Sequence, residues 1–360
     1  MKQALARARV EIDLGALQRN GAAVARRAGV PLLPMIKADA YGLGAAAALR
    51  ALETLEPWGF GVATIAEGEE LRALGASRPI VIFTPLLESE LPRARSGRLT
   101  PSLGYPHEIE AWRRAGGGNW HLSIDTGMSR AGIPWREIDD VVQLVQLAPP
   151  EGAFTHFHSA ELDDGTLEIQ EKRFREAISR LPSRPPLLHT DNSGAIARRG
   201  RSEWDLVRPG IFLYGVGSGS SAAIQPEAVV NLRAPIVEIR QLRAGDTVSY
   251  DATLRVDRAA RIATLAVGYA DGYPRPLSGV GSVLVGGTIA PIAGIVTMDM
   301  TMIDVTTVRC EVGDVVTLIG RSEGTVLTVE RVADQAGISP YELLTGLRSR
   351  VERTYAEPAK

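Results

Sequence analysis

The stretch "PLLPMIKADAYGLG", residues 31–44, holds a short apolar run that stops abruptly at Lys37. A run of this length, bounded by Pro and Gly, reads as a strand buried on both faces. A lysine at its end is costly in a folded interior unless it is paired, deprotonated or covalently used. The glycines that follow supply the freedom a loop needs to turn away from the strand.

Working outward, seven further apolar runs rich in Val, Ile, Leu or Phe follow at residues 59–63, 79–83, 99–103, 119–124, 152–157, 186–189 and 205–207. Amphipathic helical patterns separate them. "IDLGALQRNGAAVARRAG" has Asp13 placed as an N-cap, and "ATIAEGEELRALG" ends in a glycine suited to a C-cap. "WREIDDVVQLVQLA" and "EIQEKRFREAISRL" are also amphipathic. Eight strands alternating with helices predict an α/β fold, a closed (β/α)8 barrel. The rival is a doubly wound open sheet. The sequence lacks G-x-G-x-x-G after its first strand, which lowers that rival's standing.

Past residue 230 the texture changes to strand-like runs broken by Gly, Asp and Pro at short intervals, a mainly antiparallel β signature. The expected organisation is a barrel over residues 10–225 and a C-terminal β domain over 230–360. "GVGSGSSAAIQPEA", residues 215–228, reads as the linker. Residues 1–9 are candidates to pair with the second domain.

With 40 basic and 42 acidic residues and no basic block, nothing suits phosphate contacts along a nucleic acid, and a small substrate is expected. A single cysteine, Cys310, excludes an intramolecular disulfide and fits a reducing cytosol. The N-terminus lacks the apolar core of a signal peptide, and no apolar run approaches the ~18 residues of a membrane span. Cytoplasm is the expectation.

In a (β/α)8 barrel the chemistry sits at the C-terminal ends of the strands. There the sequence places Lys37 and Tyr41, Arg130 of "DTGMSR", His156 and His158 of "THFHS", Asn192 and Ser193 of "DNSGA", and Arg208 and Gly210 of "VRPGIF". A lysine activated by desolvation forms Schiff bases, and pyridoxal phosphate is the commonest cofactor so held. Its phosphate would dock where Ser193, Gly210 and the Ile211 N–H converge. No H-E-x-x-H or C-x-x-C is present, so no metal is expected.

"MIKADAYGLG" closely resembles the pyridoxal-phosphate lysine motif of bacterial alanine racemases. "DTGMSRAG", "THFHSA", "DNSGA", "VRPGIFLYG", "VSYDAT", "VGYADGYPR", "TMDMTMIDV" and "RVERTY" look like that family's later motifs, in the family's order. The resemblance covers nearly the whole chain. It implies a pyridoxal-phosphate barrel followed by a β domain, joined in a homodimer with shared active sites, and interconversion of L- and D-alanine. By the same resemblance Lys37 holds the cofactor and then acts as one catalytic base. Tyr250 is the second base, supplied across the interface. Arg208 faces the pyridine nitrogen, with Tyr41, Ser193, Gly210, Ile211 and Tyr355 on the phosphate. Arg130 lies near the phenolic oxygen and the substrate carboxylate. His156 lies beside the cofactor, and Asn192 beside the phosphate. Met298 and Tyr269 contribute to substrate binding and to the entrance.

Two bases on opposite faces remove and return an α-proton without rotation of the intermediate. Lysine and tyrosine, ordinarily near ~10.4 and ~10, must both be poised for that task. Arginine stays charged, so Arg208 leaves the ring a weaker electron sink, which suits racemisation rather than decarboxylation. The chain departs from the family pattern at Ser123, where a lysine is common, and at Leu43, Asp251, Thr297 and Glu352. These departures keep a serine or broader-range racemase as an alternative. A noncatalytic pyridoxal-phosphate carrier is a third reading, opposed by Tyr250 and the β domain.

Overall fold

The computed structural model describes residues 6–219 and 221–357. Residues 1–5 of the expected pairing segment, Ser220 of the linker and residues 358–360 lie outside the described residues.

Strands Phe60–Val62, Ile80–Ile82, Thr100–Leu103, His121–Asp125, Gly152–Phe154 and Leu187–His189 pair in parallel and in chain order. They are almost wholly buried, as strands covered on both faces must be. Isolated parallel bridges complete the ring: Leu32 with Val207, Met35 with Gly61, and Asn192 with Arg208. The barrel therefore closes, but its first and eighth strands are only single bridges rather than the runs expected at 32–36 and 205–207. Pro31, Pro34 and Pro209 interrupt both segments and have no N–H to donate. Their carbonyls still serve. The Met35 N–H donates to Pro209 O at 2.9 Å and the Gly61 N–H to Pro34 O at 2.8 Å.

The C-terminal domain is a mostly antiparallel sheet built around the long strand Val230–Leu242. Strand Arg9–Asp13 joins it, antiparallel to Val230–Leu242 and parallel to Glu352–Ala356. Residues 10–13, expected in the barrel, thus lie in the β domain. Asp13 ends that strand and caps the helix Leu14–Ala28, its Oδ1 accepting from the Ala16 N–H at 2.8 Å. One residue carries the chain from one domain to the other without a linker. Helices Val329–Ala336 and Pro340–Thr345 precede the sheet's last strand, Glu352–Ala356.

The two domains meet at the loop after Lys37. Arg353 Nε–H donates to the Gly42 carbonyl at 2.8 Å. Gly42 has φ 82°, and a Cβ there would fall 2.6 Å from the Leu344 carbonyl oxygen. Only glycine satisfies both constraints.

Candidate active site

Lys37 opens the short helical turn Lys37–Gly42, and Ala38, Asp39, Ala40 and Tyr41 all have φ between 52° and 58°. Four consecutive residues with side chains in a left-handed turn cost about 4–8 kcal/mol at the usual 1–2 per residue. Strain of this size persists only where the surroundings over-determine it. The Asp39 carboxylate accepts from the Ala45 N–H at 2.7 Å. The Tyr41 ring packs on Tyr214 at 4.6 Å between centroids. The turn aims Lys37 into a cavity of about 470 Å³ at the C-terminal ends of the strands.

Tyr41, Arg130, His156, Asn192, Ser193, Arg208, Gly210 and Ile211 line the same cavity, so every barrel residue expected at the rim reaches it except one. His158 does not. It is exposed, and its Nδ1 lies 2.7 Å from Ser159 Oγ.

Arg208 is buried at the cavity floor. Its Nη1 donates to His189 Nδ1 at 2.9 Å and to the His189 carbonyl. Its Nη2 donates to the carbonyls of Thr155 at 2.7 Å and Thr190 at 3.0 Å. Four of the five guanidinium donors are thus engaged, and Nε–H has no acceptor among the described residues. Burial lowers the Arg208 pKa to about 10, which keeps it charged near neutrality. An arginine only donates, so His189 Nδ1 is bare and its proton sits on Nε2, 2.8 Å from His121 Nδ1. His189 and His121 are wholly buried and were not recognised from the sequence. Each sits at the end of a buried strand, His121 opening one and His189 closing another, where a histidine reads as core.

Burial, with the Arg130 charge second, lowers the Lys37 pKa, so its free amine is more readily neutral than an ordinary lysine. Burial and the charges of Arg208, Arg130 and Lys37 push His156 down to about 3. His121 and His189 are lowered as well, chiefly by burial. The folded state then binds fewer protons than the unfolded chain between pH ~3 and ~6.5, and stability rises with pH across that window. Denaturant midpoints are expected to fall as the pH drops from 6.5 toward 4. The change His156→Gln should flatten that slope by about one proton; an unchanged slope would count against the depressed value.

Opposite Arg208, Asn192 caps the helix Ser193–Arg199, with its Oδ1 accepting from the Ala195 N–H at 3.1 Å. Ser193 Oγ accepts from the Gly210 N–H at 2.9 Å and the Phe212 N–H at 3.4 Å, so its own proton is free to donate. A Cβ on Gly210 would collide with the Tyr41 hydroxyl. The result is a close-walled cradle of hydroxyl and backbone donors.

Tyr355, expected on the phosphate, lies elsewhere. It does not line the cavity. Its strand pairs with Arg9–Asp13, and the side chain is directed at Gly44, against which its hydroxyl packs. Tyr341 lines the cavity instead, 6.0 Å from the Tyr41 ring. Its position in "SPYELL", at a helix start after Ser339, gave no sign of this. Tyr250, Met298 and Tyr269 are also outside the cavity, and they are 69%, 53% and 40% exposed. They stand together on the β domain. The Tyr269 N–H donates to Thr297 O at 2.9 Å, and Ser249 Oγ donates to Ile295 O at 3.2 Å. Ser249, Asp251 and Ala252 have φ of 70°, 58° and 49°, so Tyr250 too is presented from strained backbone.

The fold and this cavity define a barrel enzyme with a β domain, equipped for an anionic cofactor carried on a lysine. Family comparison identifies it further. The alanine racemase N-terminal domain matches residues 12–218 and the alanine racemase C-terminal domain residues 229–355. The chain belongs to the alanine racemase family. It is 37% identical to the alanine racemase of Citrifermentans bemidjiense over 96% of this chain and 98% of that protein. It is 37% identical to that of Deinococcus radiodurans over 97% and 99%. The crystal structure of alanine racemase from E. faecalis superposes with TM-score 0.91 at 29% identity, covering 97% of this chain and 98% of that one. That of Bartonella henselae, with covalently bound pyridoxal phosphate, gives 0.91 at 29%, covering 98% and 100%.

The residues present fit pyridoxal phosphate, the family's cofactor. Lys37 is the amine, the lone Nε–H of Arg208 is a donor for an unprotonated ring nitrogen, and the Ser193–Gly210 cradle suits a phosphate. No described helix is long and apolar enough to cross a membrane.

Proposed function

We propose that this protein interconverts L-alanine and D-alanine with pyridoxal phosphate, in a homodimer whose active sites are shared. The arrangement of Lys37 and Arg208 in one cavity, with Tyr250 exposed on the other domain, carries this reading. When bound, the cofactor supplies an electron sink that acidifies the α-proton of an amino acid joined to it. Lys37, lowered by burial, takes or returns that proton on one face. The partner subunit's Tyr250 does so on the other. Arg208 donates Nε–H to the ring nitrogen and, staying charged, does not protonate it. Ser193, Gly210, Ile211 and Tyr41 hold the phosphate, beside Asn192, and Tyr341 takes the place first expected of Tyr355. His156 stays neutral beside the cofactor. Arg130 binds the substrate carboxylate, and Met298 and Tyr269 of the partner subunit border the entrance.

Formation of D-alanine from L-alanine with added cofactor tests the reading, and its absence would sink it. Among L-alanine, L-serine and L-lysine, alanine is expected to react fastest. If alanine were slower than both others, Ser123 at the usual lysine position would instead mark an enzyme of different substrate range.

A further inference from the structure

We propose that Glu67 is a positioning residue for Lys37, clamping the strained turn that presents the lysine to the cavity. The proposal rests on Lys37 holding the cofactor.

Glu67 has an ordinary duty as well. Thr64 caps the helix Ile65–Ala73, and Glu67 answers it in a capping box. That duty occupies one carboxylate oxygen. Oε2 accepts from the Thr64 N–H at 3.0 Å and from the Ala63 N–H at 2.7 Å, just past the strand Phe60–Val62. The other oxygen is surplus to the box. Oε1 crosses to the loop of the neighbouring first strand and accepts from the Ala38 N–H at 2.7 Å.

Ala38 is the residue after Lys37 and the first of the four in left-handed geometry. A right-handed helix start leaves its first amides to water or a cap. Here a carboxylate caps the left-handed turn instead, and charge-assisted bonds of this length are the strong kind. The clamp ties the lysine loop to the rigid end of the adjacent barrel strand, so the turn cannot relax toward right-handed geometry without breaking it. Glu67 also brings a negative charge close to the Lys37 ammonium, against the lowering effects of burial and the arginines.

The change Glu67→Gln separates the two duties. An amide keeps one oxygen for the box and turns its NH2 toward the Ala38 N–H, donor against donor. The test compares wild type, Glu67→Gln and the double variant Glu67→Gln/Ala38→Gly, all as full chains. Amide exchange in the peptide covering residues 37–42 is measured by mass spectrometry. Cofactor release is followed by loss of the lysine-linked absorbance. Losing a charge-assisted bond should speed exchange in that peptide by about ten- to a hundredfold, with release faster by about tenfold. Exchange elsewhere in the barrel should hold. Glycine at position 38 removes the left-handed penalty there, so the double variant should recover part of both effects.

Exchange and release in Glu67→Gln within about twofold of wild type would overturn the clamp. If Glu67→Gln does not fold, the double variant decides. Recovery of a folded, cofactor-carrying protein supports the clamp, and continued failure overturns it. A wild type that never links the cofactor would sink the functional reading. The exchange comparison would then still judge the clamp by itself.

Discussion

Replacing Lys37 with alanine should lower D-alanine formation by about a thousandfold or more, because one side chain serves as both covalent anchor and base. Two measurements separate those roles. Absorbance near ~420 nm from lysine-linked cofactor should disappear outright. Exchange of the α-deuteron of labelled alanine into water should fall with racemisation, since the base on that face is gone. Added methylamine can restore a small amine in the space left by the side chain, but not its placement, so rescue should be partial. The placement comes from the left-handed turn, with Ala40, Tyr41 and Gly42 buried behind the lysine. Full activity in Lys37→Ala would end the mechanism, whatever the family.

The change Tyr250→Phe should lower racemisation by about 10²–10⁴, the range for losing a general acid–base group. It should leave cofactor linkage intact, because Tyr250 does not line the cavity that holds Lys37. Proton transfer on the tyrosine face should suffer more than on the lysine face, so isotope exchange from L- and D-alanine should become unequal. The decisive measurement is a mixture. Tyr250 is 69% exposed and outside the cavity, and in the proposed homodimer a second copy supplies it. Co-folding equal amounts of Lys37→Ala and Tyr250→Phe chains makes hybrids with one intact site in two, so about a quarter of wild-type activity should return. No return of activity, with dimers shown to form, would place the second base within one chain.

Much of the barrel was legible because its strands are buried on both faces and read as uninterrupted apolar runs. Their ends were legible because polar residues stop those runs abruptly at Lys37, Arg208 and the histidines. Strand one and strand eight were harder. Their prolines leave only single bridges, and apolar composition does not reveal how many N–H groups remain to pair. The strand Arg9–Asp13 alternates like any half-buried strand, and nothing local says which sheet it joins. It joins the distant one, through residues more than two hundred positions away.

Two tyrosines of the C-terminal segment show the same limit. Both Tyr341 and Tyr355 lie near the C-terminus, and the motif "RVERTY" favoured the second. Strand pairing aims Tyr355 at Gly44, while the helix Pro340–Thr345 packs Tyr341 onto Tyr41. His189 and His121 read as core from their surroundings, and they are core. Their tautomers are fixed only because Arg208, from another strand, lacks any acceptor capacity.

The sequence by itself determined the alternation of elements, the change of texture after residue 230, and the residue types available for chemistry. These are local properties, set by side-chain volume, polarity and period. The tertiary structure decided which tyrosine reaches the cavity, which sheet takes the first strand, and how Lys37 is held in a left-handed turn. That last decision depends on Glu67, thirty residues from Lys37 in the chain and one hydrogen bond from Ala38. The turn is unfavourable on its own, and only contacts from outside it make it the lowest state.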